Sequence, residues 1–568
     1  MTVLNFCRLG TTLTLLALFG CSADYYEKQA DKDVYQILKT VEKDIFGESS
    51  QFSIASGKSS KEQQALTPVK ILNDRKSTEK VRLSLNQALD YAVANSREYQ
   101  SEKERLYLTA LTLTGEQHEF RPNLFGSSQA NYTRQIDGEE VGTASSALGV
   151  NQALATGGSL GVTLANDLLQ YFSGDPRRSA TSLITLNLAQ PLLRGAGRDV
   201  AVENLTQANR NVVYAIRDYT HFQNTFSVSI VNEYFDLLRS KDVIFNEYNN
   251  YQSRKKNVEY LSARVDRERP EAVGIAEQDE LSARNRYISA ISDYRNALDS
   301  FKVTLGLPQT TQLRLDDAEI IKLRAGGLKP ISLSSREAFA IALDHRLPLF
   351  NQVDRFEDSK RQVGIAANQL KADLALVGNA SLANSGGPVD YTKFNFNDVR
   401  ATVGLQLNLP LDRLRERNQY RATLINFESS IRTLSRNFDE LRNLLDRRIR
   451  ELEEFRQSYE IQKGAVKLAR NRVEGNQLRL QAGTVEFRQL SESQDALISA
   501  QNAETSAIVN YLSARLGLLV ELGVLDPNSK DYWLSDNPSK IKALGRPANP
   551  QPAFAPSDKV PTPEELFE

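Results

Sequence analysis

Three histidines, His118, His221 and His345, are the only imidazoles in 568 residues, and they stand roughly a hundred residues apart. A metal site needs three or four His, Cys or carboxylate ligands brought together, and no short-range ligand spacing does this here. The two cysteines, Cys7 and Cys21, both lie at the amino end, so neither offers a paired thiol to the rest of the chain. No glycine-rich phosphate loop and no Ser/His/Asp order stands out. The residues therefore assign no catalytic function, no metal and no cofactor. Lys+Arg is 70 against Asp+Glu 71, a formal net charge of −1. That balance lacks the basic footprint of a nucleic-acid binder.

Two positions keep a chemical role. The first is Cys21. Arg8 precedes an apolar run from Leu9 to Phe19, too short to span a bilayer as a helix. Residues 1–20 read as a secretory signal peptide. The run ends Leu18-Phe19-Gly20-Cys21, which resembles the bacterial lipobox. That resemblance implies cleavage before Cys21 and attachment of lipid to it, and Ser22 in place of Asp implies sorting to the outer membrane. The lipidated mature chain would hold no free thiol and no disulfide. The second is a dense charge cluster, Arg264, Asp266, Arg267, Glu268, Arg269 and Glu271. Its meaning depends on the elements that carry it.

Those elements are long helices. The stretch Leu411 to Asp526 contains no proline and is bracketed by Pro410 and Pro527. From Leu424 its apolar residues run Phe427, Ile431, Leu434, Phe438, Leu441, Leu445, Ile449, Leu452, Phe455 and Tyr459. Alternating steps of three and four write one stripe on a helix that packs along other helices. Helix from Arg413 to Ala482 predicts a rod of about 100 Å. Gly483-Thr484 breaks it, and a return helix runs to about Gly523.

The first half reads the same way. Residues 21–80 form an N-terminal segment and linker that looks peripheral, with one short amphipathic helix over Asp31–Ile45. Helix is predicted from Leu85 to about Phe120. Leu124–Thr133, Leu148–Leu154, Leu160–Asn166 and Leu183–Ala189 are strand-like, with a tight turn at Ala155-Thr156-Gly157-Gly158. A long helix from Val200 to Asp266, a turn near Pro270 and Gly274, and a return helix to Leu305-Gly306 follow. Then helix (Ser334–Leu370), strand (Leu374–Leu382), a loop over 383–397 and strand (Arg400–Leu409) recur. Ala88, Ala92 and Asn95 match Ala338, Ala342 and His345 at one offset. Ala283, Ala290, Ala297 and Leu305-Gly306 match Ala500, Ala507, Ala514 and Leu522-Gly523 at another. Residues 81–308 and 331–526 thus read as two copies of one unit, the second with its hairpin at 373–410. The first strand region is about thirty residues longer, through a longer loop or an added hairpin. Alanines seven apart on each return helix let neighbouring helices approach closely, or simply favour helix.

One hairpin per half gives four strands per chain, and open edges cannot face lipid. Several chains must then share one barrel. The alternation suits this: Leu183, Thr185, Asn187 and Ala189 against Ile184, Leu186 and Leu188, and Val403, Leu405, Leu407 and Leu409 against Gly404, Gln406 and Asn408. It also fits a half-buried soluble sheet, which leaves a periplasmic coiled-coil structural or adaptor lipoprotein as the alternative.

The duplicated order resembles the TolC-like outer-membrane efflux proteins over residues 84–526. Its marks are Gln190-Pro-Leu-Leu-Arg-Gly-Ala-Gly197, Leu-Gly at 305–306 and 522–523, and Ala482-Gly-Thr484. The resemblance implies a mixed α and β membrane protein: a long antiparallel α-helical coiled-coil tunnel plus transmembrane β-barrel strands, internally duplicated and trimeric. It implies a twelve-stranded barrel in the outer membrane and a tunnel across the periplasm. It further implies a passive exit duct of a tripartite efflux or type I secretion system, docked to an adaptor protein and an inner-membrane pump. The barrel would be 123–190 and 373–410, and the tunnel tips 264–275 and 480–487. Asp266, Arg267, Glu268, Arg269 and Glu271, with Arg479 and Arg488, are the candidate gate. From Pro527 to Glu568 a proline-rich tail follows, expected to lie outside the membrane.

Overall fold

The computed structural model describes residues 22–55, 65–76, 78–134, 136, 138–173, 178–264, 270–328, 331, 333–385, 393–527 and 532–533. The signal segment with Cys21, the gate candidates Asp266, Arg267, Glu268 and Arg269, and the tail apart from Pro527, Tyr532 and Trp533 lie outside them.

The elements follow in order: α1 Ala23–Phe46, α2 Pro68–Asp74, β1 Lys80–Leu83, α3 Leu85–Asn95, α4 Arg97–Glu119, β2 Asn123–Arg134, β3 Glu140–Ala153, β4 Ser159–Tyr171, β5 Arg178–Pro191, α5 Arg198–Ala201, α6 Glu203–Ser262, α7 Pro270–Thr304, β6 Gln312–Leu315, α8 Ala318–Gly326, α9 Ser335–His345, α10 Leu347–Asn368, β7 Asp373–Ala383, β8 Arg400–Asn408, α11 Leu414–Gln481 and α12 Phe487–Leu522. Two compact units emerge. One takes the described parts of 1–53, 105–216 and 352–434, and the other those of 54–104, 217–351 and 435–568.

The first unit is built on a six-stranded antiparallel sheet in the order β2-β3-β4-β5-β7-β8. Four strands were expected from one hairpin per half. The surplus length of the first strand region is an added hairpin, because β3 and β4 run longer than their apolar residues suggest. Thr143 to Ser146, small and polar, continues β3 opposite Asn166 to Leu169 of β4. The Gln190–Gly197 word closes this sheet. Leu192 N–H donates to the Leu374 carbonyl, Gly195 N–H to Asn368 Oδ1, and Gly197 N–H to the Thr156 carbonyl of the tight turn. Helix α1 is longer than expected and is not peripheral. Val34 and Leu38 are buried, and Tyr107 of α4 donates to Asp31 at 2.8 Å.

The second unit holds the helical core. Ala338, Ile341 and Ala342 of α9 pack with Leu441, Leu445 and Leu452 of α11 and Tyr511, Ala514 and Leu518 of α12. The stripe read on α11 supplies this contact from Leu441 onward. Two helices expected to be continuous are each broken, at Ser96 and at Arg346, where the backbone turns extended (ψ 131° and 102°). Gly306 and Gly523 lie close to the ends of α3 and α9: a β-carbon on either would meet the main chain of Asn95 or of His345. Each follows a return helix in the left-handed region (φ 77° and 75°). Each closes it with a paired turn, Leu307 N–H to Lys302 O and Val524 N–H to Leu519 O. Both α3 and α9 open with a reciprocal cap, Ser84 with Gln87 and Ser334 with Glu337. Gly274, read as a turn residue, lies inside α7, which Pro270 starts at its first position.

A parallel pair was not foreseen. β1 pairs with β6 over Lys80–Leu83 and Gln312–Leu315. Tyr234 of α6 fastens it, with its hydroxyl 3.2 Å from the Leu83 carbonyl and 3.0 Å from that of Asp316.

Candidate channel wall and tunnel tip

Register decides what the sheet presents. Across all six strands one rung runs Leu124, Val150, Val162, Leu186, Ala380, Ala401. The adjacent rung, on the opposite face, runs Asn123, Asn151, Gly161, Asn187, Asn379, Thr402. Side chains alternate across a strand, so these rungs belong to two continuous faces. The apolar face continues through Leu148, Leu164, Ile184, Leu405 and Leu407. Several of its residues stand open: Leu124 is 79% exposed, Val403 75% and Leu405 68%. On the other face Asn379 donates to Asn187 at 2.7 Å. A cavity of about 720 Å³ opens on it, lined by Asn123, Asn151, Asn187, Asn379 and Thr402 among others. The strands are 9 to 14 residues long, which suits tilted passage through a hydrocarbon core. A sheet with an exposed apolar face and a polar opposite face is what a wall between lipid and water requires.

At the other candidate site the helix ends meet. Leu261 of α6, Ala276 of α7, and Phe487 and Leu490 of α12 are buried together, with Val473 and Leu480 of α11 packed on them. The described residues Ala272 and Val273 of one predicted tip and Leu480 and Phe487 of the other are thereby brought into one cluster. Gly483 (φ 71°) and Thr484 close α11, through N–H bonds to Leu480 and Arg479. Of the described gate candidates, Glu271 and Arg479 are exposed, and Arg488 pairs at 3.6 Å with Glu492 one turn along its own helix.

Sequence reading missed the group that joins these helices. Arg254 of α6 is 1% exposed. Its guanidinium reaches Asp279 of α7 at 2.9 Å, and on α12 the Ser491 carbonyl at 3.0 Å and Asp495 at 2.8 Å. Ser491 also donates to Asp279. Arg286 of α7 bridges Glu247 and Asp495, each at 3.4 Å. Arg254 lies about 12 Å before the end of α6. No sequence signal marked it, because its partners are 25 and more than 230 residues away. The heptad alanines are placed unevenly. Ala283, Ala500, Ala507 and Ala514 are buried, Ala290 is half-buried and Ala297 is exposed.

In the first unit a second polar network links α6 and α10. Arg361 holds Glu203 at 2.7 Å and Asp358 at 2.8 Å, and Tyr214 donates to Asp358 at 2.6 Å. Burial raises the Asp358 carboxyl, but the bonds from Tyr214, Arg361 and Gln207 and the charge of Arg210 outweigh it and hold it below the ordinary range. Among the described residues no group of His, Cys, Asp and Glu suits a metal ion. Among them, too, no helix is long and apolar enough to cross a membrane.

No protein-family model matches the sequence, and no curated protein matches it. Solved structures do. CusC, described for conformational changes accompanying folding and transmembrane channel formation, superimposes with a TM-score of 0.57 at 11% identity, over 78% of this chain and 93% of its own. The CmeC outer membrane channel of Campylobacter jejuni gives 0.56 at 14% identity, over 81% and 89%. The outer membrane protein VceC of Vibrio cholerae gives 0.56 at 18%, over 77% and 96%. The chain has the TolC-like fold.

Proposed function

We propose that this chain is an outer-membrane channel, the passive exit duct of an efflux or type I secretion assembly. The observation that carries the reading is the two-faced sheet. Among the described residues its apolar face is uncovered, and β2 and β8 each leave one edge unpaired. Open edges are not tolerated in lipid, so several copies, three by the TolC-like resemblance, would close one barrel between them. The two copies of the helix–strand–helix unit, 81–308 and 331–526, would each supply strands to the barrel and helices to a tunnel. The tip helices, held by Arg254 and by the charged residues of 264–271, would form its closed end. That end would meet a periplasmic adaptor and an inner-membrane pump, which supplies the energy. Cys21 would carry lipid and anchor the amino end in the same membrane.

The test is conductance of detergent-extracted protein in a planar bilayer, with oligomer mass taken alongside. A three-chain particle with small, mostly closed conductance is expected. A monomer without conductance, soluble once Cys21 is replaced by Ser, would instead make the chain a periplasmic scaffold. Changing Asp266 and Glu268 to Ala should raise the closed-state conductance. Unchanged conductance would remove those two residues from the gate.

A further inference from the structure

At the two repeat offsets β2 aligns with β7 and β5 with β8, so the added hairpin is β3–β4, which has no counterpart in the second half. It parts β2 from β5 in the sheet, and raises the question of whether β2 and β3 stand in the wall or hang beside it. Their register answers this. The apolar rung begins at Leu124 on β2 and passes through Val150 before it reaches β4, and the polar rung begins at Asn123 and passes through Asn151. Neither face changes character where β3 meets β4. A flap lying in water would have no use for an apolar face in line with the rest of the sheet. The outer strands are also the most open: every residue of β2 but Asn123 is exposed, and every residue of β8 but Gly404.

We infer that all six strands belong to the wall, and that β2 of one copy pairs with β8 of the next copy of this chain. The inference rests on the channel reading above and deepens it. Six is an even number of alternating strands, so β2 and β8 run in opposite directions. Their pairing between copies continues the antiparallel order without a break. It must also keep the faces matched: odd-numbered residues of β2 and even-numbered residues of β8 both lie on the polar face. Three copies then close eighteen strands, where one hairpin per half would have closed twelve. At equal tilt a barrel's diameter grows about linearly with strand number. The lumen wall is thus about half again as wide, with about twice the cross-section, and suits bulkier cargo at the membrane.

Cysteine pairing tests this, since the only natural cysteines are Cys7 and Cys21. Ser127→Cys on β2 is combined with Thr402→Cys, Gly404→Cys or Gln406→Cys on the polar face of β8. It is combined separately with Ala401→Cys, Val403→Cys or Leu405→Cys on the apolar face. Thr163→Cys on β4 is scanned against the same β8 positions. Each variant is checked for mass and bilayer conductance, then oxidised. Chain-to-chain disulfides from Ser127→Cys to a polar-face partner, in a conducting trimer, are expected. Disulfides from Thr163→Cys instead, or a conducting trimer in which Ser127→Cys joins no polar-face partner or joins apolar-face partners equally, overturn the eighteen-strand closure and leave the channel reading standing. A non-conducting monomer overturns both.

Discussion

Gly306 lies with its Cα against the main-chain carbonyl of Asn95, and a β-carbon there would collide with that carbonyl. The same relationship joins Gly523 to His345. Asn95 and His345 end α3 and α9, and the two glycines follow the return helices α7 and α12. Replacing either glycine with Ala forces a side chain into the left-handed region, at about 1–2 kcal/mol, and also displaces the neighbouring strand of main chain. Gly483 shares the left-handed φ but has nothing within 4 Å of its would-be β-carbon. Gly306→Ala and Gly523→Ala should therefore lower the melting temperature more than Gly483→Ala does. Equal losses would show that the close approach adds nothing.

Arg254, 1% exposed, touches both α7 and α12. Removing one member of a buried ion pair costs about 3–5 kcal/mol. Asp279 and Asp495 are partly solvated (26% and 53% exposed), so the lower end applies. Arg254→Met should loosen the helix ends and raise closed-state conductance, with trimer mass unchanged. A variant as tightly closed as the parent would place the restraint elsewhere.

Neighbouring residues on β8 should respond oppositely to the same substitution. Leu405→Arg puts a charge on the apolar face, at about 2–4 kcal/mol near a bilayer midplane, and should cut the yield of membrane-inserted protein. Gln406→Arg lies on the polar face and should assemble normally, with the conductance shifted toward anions. Measuring insertion and ion selectivity for both separates a lipid-facing sheet from a soluble one, in which neither change would alter membrane partition.

His221 of α6 is held below its ordinary pKa first by burial and then by the charge of Arg346, against the opposing pull of Glu521 and Asp218. Arg346 is itself paired with Glu521 at 2.8 Å. The folded protein takes up the proton less readily than the unfolded chain, whose histidine titrates near about 6.5. The histidine's contribution is therefore full above about pH 6.5 and is lost as the pH falls through the depressed value. His221→Gln should flatten the fall in melting temperature between about pH 7 and pH 5. An unchanged slope would assign it to other groups.

Much of the architecture was written locally. The three–four spacing from Leu441 to Tyr459 gave α11 its buried face, and the alternation Ile184, Leu186, Leu188 gave β5 its two sides. Gly483 and the Leu-Gly words marked helix ends because a left-handed residue is needed there. β3 was under-read because Thr143 to Ser146 is small and polar, and only its ladder to β4 makes it strand. Arg254, Tyr234 and the break at Ser96 were invisible, since each depends on a partner distant in sequence. What the chain determined by itself is period and punctuation, which are properties of neighbouring residues. The tertiary structure decided how many strands share one sheet, which face each residue takes and which charges meet, because hydrogen-bond register and burial exist only once distant segments are brought together.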